Sequence, residues 1–278
     1  MNVTDTILDP EWRQITDYQV DKYRNAHPFP HGVFESFLEE KTARNAESCF
    51  PNVSDSSWIH YIHFNERKHG LNKIDQLPVR IQSLINELNS DDFLKWLERL
   101  TGIEGLMADP MLEGGGLHQS QSGGFLNIHA DFTVHPHHRD WERRVNLIVY
   151  LNDNWEEEWG GHLELWNENM TKREQRIAPL FNRAVIFNTT KTSYHGHPEP
   201  LKCPEDRTRR SLALYYYTHE KNPNWYSTNY QGRPDDAASK KRLIWLDKKM
   251  IATYTRLKHT LGIKDDTVSK ILNRFGKK

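Results

Sequence analysis

The chain has 278 residues and is 36% hydrophobic, with nine Trp, eleven Tyr and eleven Phe, which describes a packed globular protein of one large β-rich domain or two small ones. A net charge of -1 provides no basic surface for nucleic acid, and no apolar run nears the roughly 18 residues of a membrane span. Met1–Asp5 lacks the basic and apolar blocks of a signal peptide, and the two cysteines, Cys49 and Cys203, lie outside any Cys-x-x-Cys motif, which excludes zinc ribbons and thioredoxin chemistry and fits a reducing cytoplasm.

In chain order, residues 1–26 are polar and mixed and read as an irregular arm, ended by the breaker His27-Pro28-Phe29-Pro30. Gly32–Phe37 reads as a strand, and Leu38 to about Ser48 as a helix closed by Phe50-Pro51. Trp58–Phe64 alternates and reads as a strand, and Asn65–Asp75 reads as a polar loop. Ile81, Leu84, Ile85 and Leu88 fall on one helical face after Pro78. A second helix follows the capping residues Asn89-Ser90-Asp91, carries Phe93, Leu94, Trp96, Leu97 and Leu100, and ends at Gly102.

From Gly114 the texture changes to short apolar runs broken by Gly, Pro and Asn. Strands are expected at Gly116–Ser120, Leu126–Asp131, Val145–Asn152, His162–Trp166, Ala184–Phe187 and Ser211–Thr218, which together suggest a sandwich or barrel. Residues 219–236 read as a connector, and a helical tail begins at Ala237. The expected division is an arm (1–26), a catalytic domain (27–220), and a connector with a basic amphipathic tail (221–278).

Four pieces carry chemistry. Leu126–Phe132 alternates, so His129 and Asp131 share one strand face and can bind one metal from the same side. Arg144–Asn152 is followed by Trp155, Trp159-Gly160-Gly161 and a further strand. His195 lies 64 residues beyond Asp131, and Arg209-Arg210-Ser211 opens the last strand, with Arg209 14 residues after His195. Two His and one carboxylate, with other coordination positions open, are the ligands of non-haem Fe(II) oxygenases.

In their order and spacing these pieces resemble the Fe(II)/2-oxoglutarate oxygenases, in their prolyl-4-hydroxylase-like branch, over roughly residues 110–218. The resemblance implies an α+β chain whose core is a double-stranded β-helix, a distorted jelly roll, with supporting N-terminal helices and a helical tail. It implies His129, Asp131 and His195 as iron ligands and Arg209 as the partner of the distal carboxylate of 2-oxoglutarate. Ser211, two residues on along the same strand face, and Tyr150 are expected beside that carboxylate, with Asn146 a weaker candidate. The implied cofactors are Fe(II), 2-oxoglutarate and O₂. The implied reaction couples oxidative decarboxylation of 2-oxoglutarate, to succinate and CO₂, with hydroxylation of a C–H bond.

Other readings stand beside these. His197 is the rival third ligand, and relatives place the ligand before Gly-x-Pro, which favours His195. Arg210 would face away from Ser211. His135, His137 and His138 look like a second metal cluster, although such a segment is more often a loop over the site mouth, and the insert Phe132–Arg143 would shape that mouth. His118, His162 and His219 read as surface or strand-packing residues. Tyr215 and Tyr217 would line the pocket, Tyr216 would lie in the core, and Trp159-Gly160-Gly161 reads as a turn without a catalytic task. The expected substrate is a small molecule, glycan or metabolite rather than prolyl residues of a protein. The alternatives are a non-catalytic metal-binding jelly roll and a membrane-peripheral scaffold. From Lys240 onward twelve Lys and Arg face three Asp. A stripe at Leu243, Leu246, Met250, Tyr254, Leu257 and Leu261, with a second short helix near Asp266, is expected to pack on the body, to make a dimer contact or to meet an anionic membrane.

Overall fold

The computed structural model describes residues 7–261. Its helices are α1 (Asp17–Arg24), α2 (Glu40–Ser48), α3 (Val79–Leu88), α4 (Asp91–Thr101) and α5 (Ala238–Leu261). Its strands are β1 (His31–Phe34), β2 (Ile59–His63), β3 (Glu66–Leu71), β4 (Met107–Ala108), β5 (Gly116–Ser120), β6 (Phe125–Ala130) and β7 (Trp141–Tyr150). They continue with β8 (Leu163–Trp166), β9 (Arg173–Ile177), β10 (Arg183–Asn188), β11 (His195–His197), β12 (Arg209–His219) and β13 (Asn229–Tyr230). All pairings are antiparallel, in the order β1-β10-β7-β12-β5-β3-β6-β11-β8-β9. The sheet curls so that β1-β10-β7-β12-β5 and β6-β11-β8-β9 face each other and β3 joins them, which gives the expected α+β jelly-roll core.

Alternation along β7 and β12 explains how a core and a polar cavity share one sheet. Val145, Leu147 and Val149 on β7, with Leu212, Leu214 and Tyr216 on β12, turn outward into the main core with Ile81, Leu84, Phe93 and Leu97 of α3 and α4. The intervening Asn146, Ile148, Tyr150, Ser211, Ala213 and Tyr215 turn inward, paired as Tyr150↔Ser211, Ile148↔Ala213 and Asn146↔Tyr215. The helical stripe of α4 is set as its sequence demands: Ser90 Oγ caps the Phe93 N–H, and Gly102, at φ 75°, ends the helix.

Four expectations need correction. The irregular arm contains α1, opened by a Thr16–Gln19 capping box, and Leu8, Val20 and Tyr23 belong to the main core. The expected loop Asn65–Asp75 contains β3, whose inward residues face a polar cavity and so show no apolar alternation. The connector contains β13, paired with β6, while β4 and β9 also escaped the sequence reading. On α5 the buried side chains are Ile244 and Asp247, whereas Leu243 and Leu246 are exposed. The rest of that stripe and the second tail helix lie outside the described side chains and residues. No helix among the described residues is long and apolar enough to cross a membrane.

Candidate active site

Register brings the triad together. His195 on β11 pairs directly with His129 on β6, their ring centroids 4.5 Å apart, and Asp131 follows β6 by one residue. Each imidazole donates its Nδ1–H to the carbonyl two residues back, His129 to Asn127 and His195 to Ser193, both at 2.9 Å. That fixes the tautomer and turns both Nε2 lone pairs inward. His129 Nε2 lies 3.5 Å from Asp131 Oδ1, and His195 Nε2 lies 3.5 Å from Asp131 Oδ2. Among the described residues these three form the one group with metal-binding geometry.

The electrostatics prepare the donors. Burial, the largest influence, pushes the His195 pKa down to about 4, so the ring is neutral at pH 7. Burial would raise the Asp131 carboxyl, but Arg143, His195 and His129 outweigh it and hold the group well below its usual range. Asp131 Oδ2 accepts from Asn146 Nδ2 at 2.8 Å and has Arg143 Nη2 at 2.9 Å. Oδ1 is left to face a metal. Asn146, expected beside the cosubstrate, therefore gives its amide to the carboxylate of the triad.

Arg143 was missed by the sequence reading. It is a fully buried side chain that donates to Asn146 Oδ1 at 2.8 Å and lies 3.4 Å over the Tyr215 ring. A bulge turns it inward: Tyr216 pairs with Val145 and Tyr217 with Arg143, so β7 has one extra residue there. Nothing in the local sequence signals that break in alternation.

Arg209 lines the same cavity, buried among neutral partners. Its Nε donates to Gly161 O at 2.7 Å and its Nη2 to Tyr150 Oη at 3.2 Å. No carboxylate among the described residues pairs with it, and burial lowers its pKa. The Trp159-Gly160-Gly161 turn thus has a positioning task. A Cβ on Gly161 would meet Arg209 Cδ at 2.9 Å, and φ there is +74°. Ser211 is buried and lines the cavity, whereas Arg210 turns away to Thr208 and the Phe50 ring. A dry guanidinium without an anion, beside a His/Asp/His donor set, fits an iron ion together with an acidic cosubstrate.

Residues 115–217 match the family described as the 2OG-Fe(II) oxygenase superfamily. The matched segment bears His129, Asp131, His195 and Arg209 and is similar to the Fe(II)/2-oxoglutarate oxygenases. Over 200 residues it is 25% identical to the mouse (Mus musculus) prolyl 3-hydroxylase OGFOD1, a match that takes in 68% of this chain and 33% of that protein. The chain therefore spans about a third of the length of this curated relative. Its fold is that of a Pseudomonas putida prolyl-4-hydroxylase, at TM-score 0.53 and 14% identity over 73% of this chain and 98% of that one. It is also that of a Trichoplax adhaerens prolyl hydroxylase solved with a hypoxia inducible factor peptide, at TM-score 0.51 and 19% identity over 71% and 86%. The His129, Asp131 and His195 donor set fits the iron, and the buried Arg209 the 2-oxoglutarate, for which the matching family is named.

The remaining histidines separate by position. His135 lies 3.4 Å from Asp109, His138 stacks on Trp141 and His137 lies 3.6 Å from Glu113, so they form no common site and the second-metal reading falls. His162 faces Glu157, and His219 faces Asp140 at the surface. His118, expected at the surface or in strand packing, lines the cavity of the triad, as do His197, Lys68 and Glu66. Both ring nitrogens of His118, and Nδ1 of His197, are buried without a partner. Tyr215 lines the cavity, Tyr216 donates to Leu88 O in the core, and Tyr217 packs under His135 and Trp141.

Proposed function

We propose that the chain hydroxylates a C–H bond of a small molecule, glycan or other metabolite, with iron bound by His129 Nε2, Asp131 and His195 Nε2. Arg209, assisted by Ser211 and Tyr150, takes the distal carboxylate of 2-oxoglutarate. When bound, iron and cosubstrate supply the oxidising power, one O₂ being divided between succinate, formed with loss of CO₂, and the product hydroxyl. The chain's own residues orient and shield. The Asn127 and Ser193 carbonyls hold the two imidazole tautomers, and Arg143 and Asn146 hold Asp131 so that one oxygen faces the metal. The inner residues of β7 and β12 line a cavity of about 220 Å³.

The observation that carries this reading is Arg209, buried without a carboxylate partner in the triad's own cavity. A non-catalytic metal-binding jelly roll has no use for such a cation. The likeness to a prolyl 3-hydroxylase favours a prolyl residue as the second reading. A substrate screen scored by succinate release, with mass spectrometry for a gain of one oxygen, tests both. Iron-loaded protein that neither binds 2-oxoglutarate by calorimetry nor turns it over refutes the enzyme reading. The finer expectations, a reducing cytoplasm suited to the free thiols Cys49 and Cys203 and a membrane or dimer contact through the basic tail, belong to the same proposal. Sedimentation with anionic liposomes tests the membrane contact and light scattering the dimer.

A further inference from the structure

One wall of the cavity is built by β2, β3 and β5, beside the start of β12. Paired residues share a face, so Ser211↔His118, Gly70↔His118 and Tyr61↔Lys68 carry one inward row from β12 across to the β2–β3 hairpin. Lys68 comes from this row. Its side chain retains 20% of its accessible surface, so it meets the cavity space rather than being walled off. Glu66 Oε2 lies 3.0 Å from its ammonium and takes one of three N–H groups. Glu66 Oε1 is engaged by His63 Nε2 at 2.8 Å. His63 in turn faces Asp247 of α5 at 3.2 Å, and Asn65 donates to the same carboxylate. Lys68 is thus held from behind by a chain of contacts that ends outside the barrel.

The charge of the cavity does not balance. Three lining side chains are cationic (Lys68, Arg143, Arg209) and two are anionic (Glu66, Asp131). Fe(II) and the 2-oxoglutarate dianion cancel each other, so the loaded cavity keeps one positive charge. His118 beside Lys68 is kept neutral by burial, which pushes its pKa down to about 3, so it does not alter this balance. Arg143 is already committed, with Nη2 2.9 Å from Asp131 and Nε donating to Asn146 Oδ1 at 2.8 Å. The ammonium N–H groups of Lys68 that Glu66 does not take are left to meet an acceptor from a ligand. The cosubstrate does not supply it, because its two ends go to Arg209 and to the metal.

Resting on the oxygenase reading above, we infer that the substrate carries an acidic group, a carboxylate or a phosphate, and that Lys68 is the specificity residue that binds it. Burial lowers the Lys68 pKa and Glu66 more than restores it, so the ammonium stays charged at neutral pH. Tyr61 on β2 and Tyr215 on β12 also line the cavity here, with Lys68 Nζ 5.5 Å over the Tyr61 ring.

The test uses full-length protein loaded with Mn(II) and saturating 2-oxoglutarate, so that Arg209 is already occupied. Calorimetry compares D-glucose 6-phosphate with D-glucose, and N-acetyl-L-proline with N-acetyl-L-prolinamide; the two pairs separate phosphate from carboxylate. In at least one pair the acid binds tighter than its neutral counterpart by on the order of ten- to a hundredfold. Lys68→Met removes that preference, Lys68→Arg retains most of it, and His69→Gln, on the outward face of the same strand, leaves it unchanged. Equal binding of acid and neutral probes, or an acid preference that survives Lys68→Met, overturns the inference. Binding of 2-oxoglutarate itself, measured first in the same cell, reports separately on the oxygenase reading.

Discussion

Arg209 and Arg210 are chain neighbours with opposite surroundings. Arg209 is buried against Gly161 and Tyr150, whereas Arg210 lies across Thr208 and the Phe50 ring on the other face of β12. Removing the cation from a buried carboxylate costs on the order of 3–5 kcal/mol, or about a hundredfold or more in affinity. Arg209→Ala should therefore raise the KM for 2-oxoglutarate by at least that factor, and Arg210→Ala should change it little; equal effects in succinate-release assays would remove Arg209 from the site. The histidines divide in the same manner. His195 Nε2 faces Asp131 with its tautomer set by Ser193, while His197, equally buried, has an unpartnered Nδ1. His195→Ala should abolish Fe(II) binding measured by metal analysis after dialysis, and His197→Ala should leave the metal in place. The opposite ranking would transfer the ligand role.

The β2–β3 hairpin and α5 act as one element, joined where His63 lies between Glu66 and Asp247 with the Tyr230 ring nearby. Burial lowers the His63 pKa, but Glu66 and Asp247 overcome it and raise the value above the usual ~6.5. A raised folded value means that the charged histidine stabilises the contact fully below about pH 6.5, and that this stabilisation is lost as pH rises through the folded pKa. Hydrogen exchange in the hairpin should thus be slower at pH 6 than at pH 8.5, beyond the intrinsic pH dependence of exchange. Asp247→Asn should flatten that difference. An identical pH response in wild type and variant would show that α5 does not hold the hairpin.

For the whole molecule, the cavity is a site whose ligands should stabilise the fold. The helices and the outer faces of β7 and β12 form the main core, while the inward faces leave Arg209 without a carboxylate partner and His197 with an unpartnered Nδ1. A ligand bound to the native state at a hundred times its Kd adds about 2.7 kcal/mol. For a chain of this size that corresponds to roughly 5–10 °C in Tm. Mn(II) with 2-oxoglutarate should produce such a rise in calorimetric melting, chelation should reverse it, and Arg209→Ala should keep the metal increment while losing the cosubstrate increment. A melting temperature indifferent to both ligands would contradict the site.

The sequence by itself determined the features that rest on local periodicity and on motif order. The stripes of α3 and α4, the alternation around His129 and Asp131, and the strand bearing Arg209 and Ser211 could all be read because one face of each element is apolar or carries a motif. Tertiary structure alone decided the rest. Glu66 and Lys68 read as loop because their inward face meets a polar cavity rather than the core, so the strand leaves no hydrophobic trace. Arg143 reaches Asp131 only because a bulge in the β7–β12 pairing changes which face it occupies. His118 and Lys68 are separated in sequence and share a wall only through cross-strand register. Pairing between distant strands places these side chains, and no local pattern encodes that register.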